Sequence, residues 1–271
     1  MSSSIRQPAV AGRFYPHDPE LLLSEVQSYL SAAKEPAAAI GCVVPHAGFM
    51  YSGHVAGAVF SRLKVPGRVI LMCPNHTGRG RPLSIMSEGS WETPLGSVPI
   101  DSELADSLKQ RCSFLSEDME AHRGEHAAEV ELPFLLALRR RFTFVPIALG
   151  TGQYEVLHGL GEAIADVIAA QSEPVLIVAS SDMNHYENDA VTRVKDHKAI
   201  DRILQLDPEG LFKVVMNEEI SMCGFGPAVA MLTAAGRLGA ARAELVKYAT
   251  SGDVSGDRDM VVGYAGILVQ Q

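Results

Sequence analysis

The chain has no long run of positive charge, no membrane-length apolar stretch and no paired cysteines. Lysine and arginine total 23 against 32 acidic residues, the net charge is −9, and the longest basic run is Arg139-Arg140-Arg141. Charge of that sign argues against nucleic acid as a partner. Every apolar run stops well below the roughly 20 residues that a membrane span requires, so no membrane partner is expected. The first residues, Met1 to Arg6, contain no apolar signal core. Cys42, Cys73, Cys112 and Cys223 stand at unrelated spacings. That pattern excludes a zinc ribbon and a disulfide framework, and it points to a reduced, cytoplasmic setting. No repeat, low-complexity tract or clear linker divides the 271 residues. One domain spanning 1–271 is therefore expected.

What is present is core-forming sequence patterned for an α/β fold. Hydrophobic residues make up 47% of the chain and charged residues 20%, enough for a sizeable buried core. Short β-prone runs at 40–44, 69–73, 142–149, 175–179, 244–250 and 261–269 read as strands. Shorter strands are expected at 83–86 and 96–100, around a turn at Trp91-Glu92-Thr93-Pro94. Helical periodicity covers 21–30, 52–63, 101–110, 154–170, 197–206, 208–216 and 227–236, with Asp18-Pro19 and Asp101 as start signals. Residues 125–139 read as one helix interrupted at Pro133, and the Ala-rich stretch 32–39 as a joining segment. Strands alternating with helices predict an α/β sandwich with a central, largely parallel or mixed sheet.

The polar motifs fall where apolar runs end. Pro45-His46-Ala47-Gly48 follows one strand, Pro74-Asn75-His76-Thr77-Gly78 a second, and Ser180-Ser181-Asp182-Met183-Asn184-His185 a third. Ligands of open α/β sheets collect outside the carboxyl ends of the strands, so these histidines are expected to converge. A lone loop histidine is ordinarily a hydrogen-bonded structural residue. Two copies of strand–Pro–His–turn–Gly favour paired metal ligands instead. Glu125, His126 and Glu129 lie within one helical turn, so His126 and Glu129, or Glu125 and Glu129, are expected to share a face and to orient a ligand histidine rather than bind metal directly. Asp182 and His185 suit an Asp-oriented, proton-transferring histidine, with a helix-capping Asp182 as the competing reading. Cys223 precedes a helix start, which favours thiolate and suits either a metal ligand or a nucleophile. Cys42 and Cys73 read as core residues, Cys112 as incidental at the end of a surface helix, and His54 as structural.

Taken in order, these motifs resemble the Memo family, also called component B of the AmmeMemoRadiSam system. The resemblance runs from Arg6-Gln7-Pro8-Ala9-Val10-Ala11-Gly12-Arg13-Phe14-Tyr15-Pro16 through the motifs above to Tyr264-Ala265-Gly266. It implies a fold similar to class III extradiol ring-cleaving dioxygenases, which use non-haem Fe(II). It matches His46, His76 and Cys223 to metal ligands, Asp182 and His185 to residues beside the metal, and His126 to a nearby histidine. It also implies a link to radical-SAM and AMMECR-type protein partners. The related dioxygenases carry a carboxylate where this chain has Cys223, which puts ring cleavage in question. A thiolate softens the site, so copper or zinc competes with iron.

Three functions follow as expectations. The leading one is a mononuclear metalloprotein holding one divalent transition metal, with Fe(II) favoured. It would act as an oxygenase or redox enzyme on an unknown small molecule, with His185, Asp182 and His126 as catalytic residues. The second is a metal- or peptide-binding adaptor without turnover. The third is an amide or ester hydrolase with Cys223 as nucleophile and His185 as base, which leaves His46 and His76 without a role.

Overall fold

The computed structural model describes residues 4–30 and 35–271. Part of the expected joining segment 32–39 lies outside them. In chain order the first elements are β1 (Ile5–Arg6), α1 (Pro19–Tyr29), β2 (Gly41–Val44), α2 (Phe49–Phe60), β3 (Arg68–Pro74) and β4 (Leu83–Ile85). Next come β5 (Ser90–Thr93), β6 (Gly96–Pro99), α3 (Ser102–Arg111), β7 (Ser116–Glu117), α4 (Glu120–Arg123), a 3₁₀ turn (Glu129–Glu131) and α5 (Leu132–Leu138). The rest are β8 (Thr143–Leu149), α6 (Tyr154–Ala169), β9 (Val175–Ser180), β10 (His185–Glu187), α7 (Asp189–Leu204), α8 (Pro208–Asn217), α9 (Phe225–Arg237), β11 (Arg242–Thr250), α10 (Gly252–Ser255) and β12 (Val261–Gln270).

Among the described residues, nine strands form one mixed sheet in the order β10-β12-β2-β9-β3-β8-β4-β7, with β11 paired to β12. The four central strands β2, β9, β3 and β8 are parallel, while β12 and β4 flank them antiparallel. A small sheet, β1-β5-β6, lies apart. The central strands read as continuous apolar runs because both faces are covered. Their side chains divide by the two-residue pleat period. Val43, Ile70, Met72 and Ile177 join a cluster with residues of α3, α6, α8 and α9. Cys42, Val44, Leu71 and Val178 join another with residues of α1, α2 and α5. Each buried Val, Leu or Ile contributes about 1.5–3 kcal/mol, so the two-sided core fixes the strand ends firmly.

Those ends are level. Val44 lies opposite Ser180, and Met72 opposite Ala179. The chain leaves β2, β9 and β3 side by side, and the loops that follow carry His46, Asp182 and His76.

Several local expectations are corrected. Residues 125–128 are not helical: the Glu125 carboxylate accepts the Ala127 N–H at 2.9 Å, holding the chain in a turn. Helix α5 starts only at Leu132, and Pro133 sits in its first turn, where a proline costs no hydrogen bond. Trp91 to Thr93 are strand rather than turn: β5 pairs with β6, and Trp91 is fully buried. Helix α7 begins at Asp189, eight residues before the expected start, with the Asn188 side chain accepting the Val191 N–H. Cys112 is buried in the core rather than on the surface. His122 is likewise fully buried, in α4 and against Trp91.

Candidate metal centre

His46 is buried at the end of β2. Its Nδ1 lies 2.7 Å from Ser180 Oγ, and the Ser180 hydroxyl donates to the Ala127 carbonyl at 2.6 Å. With its proton committed there, Ser180 accepts from Nδ1–H of His46. The neutral ring then presents a bare Nε2, 3.2 Å from Cys223 Sγ. Burial, reinforced by the neighbouring His126, His76 and His185, holds the His46 pKa well below its ordinary value.

His76 is fixed in the same way from the next loop. Its Nδ1 contacts Glu125 Oε1 at 2.9 Å, and its backbone N–H donates to Glu125 Oε2 at 2.6 Å. Glu125 is fully buried. Burial opposes its ionisation, but the His76 hydrogen bond and charge and the Ala127 amide hold its pKa below its ordinary value. Burial also opposes charge on His76, while Glu125 shifts that ring upward. Nδ1 is occupied, so Nε2 is the free ligand atom.

Cys223 arrives from the turn before α9. A Cβ on Gly224 would lie 2.4 Å from the Ser180 carbonyl oxygen and from Ser181 Cβ, so this close approach to the end of β9 requires glycine. The ligand atoms of His46, His76 and Cys223 all lie within 4.8 Å of one another. Atoms bound to one ion at 2.0–2.3 Å sit about 3–4.4 Å apart, so a small contraction accommodates a metal. His76, Glu125 and His126 form a second compact group. There Glu125 Oε1 already accepts from His76 and Ala127, which leaves it a poorer metal donor.

The expected activation of Cys223 by the helix start is corrected: burial, and then the charge of Asp182, push its pKa well above the thiol value. Metal coordination would reverse that, because a bound cation deprotonates a thiol.

The structure separates Asp182 from the role expected beside His185. Asp182 accepts the His46 backbone N–H at 2.8 Å and the Ala47 N–H as well. Burial raises its pKa to about 7. His185 opens β10 and is held by Ser221 instead: its N–H donates to Ser221 Oγ at 2.7 Å, and its Nδ1–H donates to the Ser221 carbonyl at 2.9 Å. A carbonyl only accepts, so Nδ1 carries the proton and Nε2 is bare. Asn184 Oδ1 in turn accepts from Ser221 N and Oγ at 3.1 and 3.0 Å. Burial lowers the His185 pKa. His126 stacks on His76 at 4.7 Å between ring centroids, lies 5.5 Å from His46, and is covered by Phe14.

Glu129, expected to serve the site with Glu125, turns away. It accepts from Arg6 at 2.7 Å, Tyr15 at 2.6 Å and the Ala9 and Val10 amides, anchoring the N-terminal segment. Ser180 and Ser221, which orient His46 and His185, were given no role from sequence; the Ser180 position directly after an apolar strand was the available signal. A pocket of about 340 Å³ opens beside His76 and Cys223.

The profile of the family described as Memo-like protein matches residues 6–268. A MEMO1 family protein of Methanopyrus kandleri is 41% identical, covering 98% of this chain and 99% of its own length. Another from Methanosarcina mazei is 43% identical over the same shares. An uncharacterized Escherichia coli K12 protein of known crystal structure shares the fold, with a TM-score of 0.53 at 12% identity, covering 82% of this chain and 98% of its own. On the extent and identity of these matches, the chain belongs to the Memo-like family.

Proposed function

We propose that the chain is a mononuclear metalloprotein, with His46, His76 and Cys223 as ligands of one divalent transition metal. The observation that carries this reading is the convergence of three ligand atoms within 4.8 Å, with each histidine's Nδ1 already occupied by an oriented oxygen. Partners of that kind fix ring orientation and raise ligand basicity. Two imidazoles suit iron, copper or zinc, and the thiolate tilts the set toward copper or zinc, while Fe(II) is the expectation that the family resemblance carries. When bound, the metal supplies open coordination positions and redox capacity for an oxygenase or other oxidoreductase reaction on a small molecule.

The chain's own residues do the rest. Ser180 and Glu125 hold the two ligand rings. His185 offers a bare Nε2 for proton transfer, with Nδ1 kept protonated by Ser221. Asp182 braces the His46 loop, and Phe14 and His126 shield one side of the centre. A hydrolase built on Cys223 and His185 is disfavoured: the imidazole beside the sulfur is His46, and burial opposes the thiolate.

The test is metal content after anaerobic production and purification. The parent and a His54→Ala control should hold about one ion per chain, while His46→Ala, His76→Ala and Cys223→Ala should lose most of it, given the 10–100-fold sensitivity seen even for residues behind the ligands. Full occupancy in the three variants would overturn the assignment.

A further inference from the structure

Two glycines at the edge of the pocket beside the metal position have no structural reason to be glycine. Gly150 and Gly152 follow β8 and line that pocket together with His76 and Cys223. Neither adopts the left-handed conformation that favours glycine. A Cβ on Gly150 would meet Asn75 and Pro82 at 3.6 Å, and one on Gly152 would meet Phe225 at 3.5 Å. Those are ordinary contacts, unlike the severe overlap that a Cβ would cause at Gly224. Backbone conformation and packing both permit side chains at these two positions. What side chains there would do is fill the pocket.

The remaining lining defines what fits. Leu149, Phe225 and Pro227 supply apolar wall, and among the described residues no ionisable side chain lines the pocket besides His76 and Cys223. Asn75 is engaged internally through its oxygen and one amide proton. Its Oδ1 accepts from Thr77 N, Thr77 Oγ1 and Gly78 N, and its Nδ2 donates to the Arg79 carbonyl. Thr151 Oγ1 accepts the Gln153 N–H at 3.3 Å, which leaves its hydroxyl proton for an occupant. The metal with its Cys223 thiolate would carry one net positive charge, but the rest of the pocket offers no fixed charge, so a charged group on the body of the occupant would lose water unpaired. The volume of about 340 Å³ lies at the small end of ligand sites.

We infer that this pocket is the substrate site, and that it takes a compact molecule whose apolar body carries no charge beyond its one metal-facing donor atom. The apolar body rests on Leu149, Phe225 and Pro227, and the donor atom faces the metal position. This rests on the metal reading above and adds to it the side of approach and the class of ligand.

The probe is 4-phenylimidazole, an uncharged donor with an apolar body, titrated into the Co(II)-loaded full chain and followed by the cobalt–thiolate absorption. Imidazole is the small reference and imidazole-4-acetate the charged one. The parent should bind 4-phenylimidazole most tightly and imidazole-4-acetate least. Gly152→Leu should weaken 4-phenylimidazole by about tenfold or more, the scale of an overpacked site. Co(II) affinity and imidazole binding should stay close to the parent's. Gly150→Val, which fills the pocket from its other edge, should do the same. Unchanged 4-phenylimidazole binding in both variants, or imidazole-4-acetate binding as tightly as 4-phenylimidazole, overturns the inference and leaves the metal reading standing. A parent chain that takes up no Co(II) overturns both.

Discussion

The Nε2 atom of His46 lies 3.2 Å from Cys223 Sγ across 177 residues of sequence. Without metal this is a contact between a neutral imidazole and a protonated thiol. Burial keeps His46 uncharged and, with the charge of Asp182, keeps Cys223 protonated. Metal entry must therefore displace the Cys223 proton. Binding should release about one proton per ion, and affinity should rise about tenfold per pH unit through the neutral range. Calorimetric titration in two buffers of different ionisation enthalpy measures the release directly. No release at pH 7 would mean that Cys223 is ionised before the metal arrives or lies outside the ligand set.

The oxygens behind the ligands should matter nearly as much as the ligands. Ser180→Ala frees the His46 ring, and Glu125→Gln replaces the carboxylate that holds His76 by its ring and its amide. Each should lower metal affinity by about 10–100-fold while the fold survives. Competition with a chromogenic chelator gives the affinities, and circular dichroism checks the fold. Parent-like affinity in both would detach these oxygens from the site.

How much of this was legible in sequence depends on the scale of the forces involved. Strands such as Val175–Ser180 and Arg68–Pro74 were found to within a residue because burial on both faces writes itself as an apolar run. The convergence of His46 and His76 followed from their places at strand ends in a parallel sheet, while Cys223 joined them only through the family resemblance. What was not legible were choices made by single hydrogen bonds between distant residues. Nothing local indicates that Glu125 grips the His76 amide 49 residues away and so keeps residues 125–128 out of a helix. Nor does spacing reveal that Asp182 braces His46 while Ser221 holds His185. The start of α7 was missed because Asp189 to Asp196 are largely polar, although the Asp189–Arg193 pair and the Asn188 cap were readable signals.

His185 should be dispensable for metal retention and required for turnover. It is held by Ser221 and is not among the three converging ligand atoms. His185→Gln should keep the parental metal stoichiometry and lose whatever turnover the parent shows. Metal analysis of the purified variant decides it: loss of the ion would make His185 a ligand.

The Arg6–Glu129 pair tests what anchors the N-terminal segment. Both side chains are buried, 2.7 Å apart, and Arg6 stacks on Trp91 at 4.0 Å. Arg6→Ala leaves the buried Glu129 charge facing only Tyr15 and two backbone amides. Loss of one partner from a buried pair costs about 3–5 kcal/mol. Arg6 also donates to the His122 and Glu125 carbonyls, so the cost includes those contacts, and denaturant unfolding should show it. A cost below about 1 kcal/mol, the scale of an exposed pair, would mean that the amides and Tyr15 suffice for Glu129.

Asp182 should make the metal-free protein less stable as pH rises. Its folded pKa is about 7 against an ordinary value of 3.8, raised by burial. For an acid shifted upward, the native state holds its proton more tightly than the unfolded chain. The stabilising contribution is thus complete below the unfolded pKa and fades as pH climbs from about 4 to about 7. The full span corresponds to a loss on the order of 3–4 kcal/mol. The histidines of the site work the other way. His46, His126 and His185 have lowered pKa values, so they favour the folded state less as pH falls below the ordinary histidine value. The parent curve alone mixes the two slopes, but its difference from Asp182→Asn isolates the carboxyl. The amide oxygen that this substitution introduces can still accept the His46 N–H, and the amide never ionises. The variant should therefore gain on the parent steadily between about pH 4 and pH 7 in the metal-free state. Metal loading should shrink the gap, because a nearby cation favours the ionised carboxylate. Parallel stability curves for the two metal-free proteins would show that Asp182 is ionised throughout and that its two backbone donors outweigh its burial.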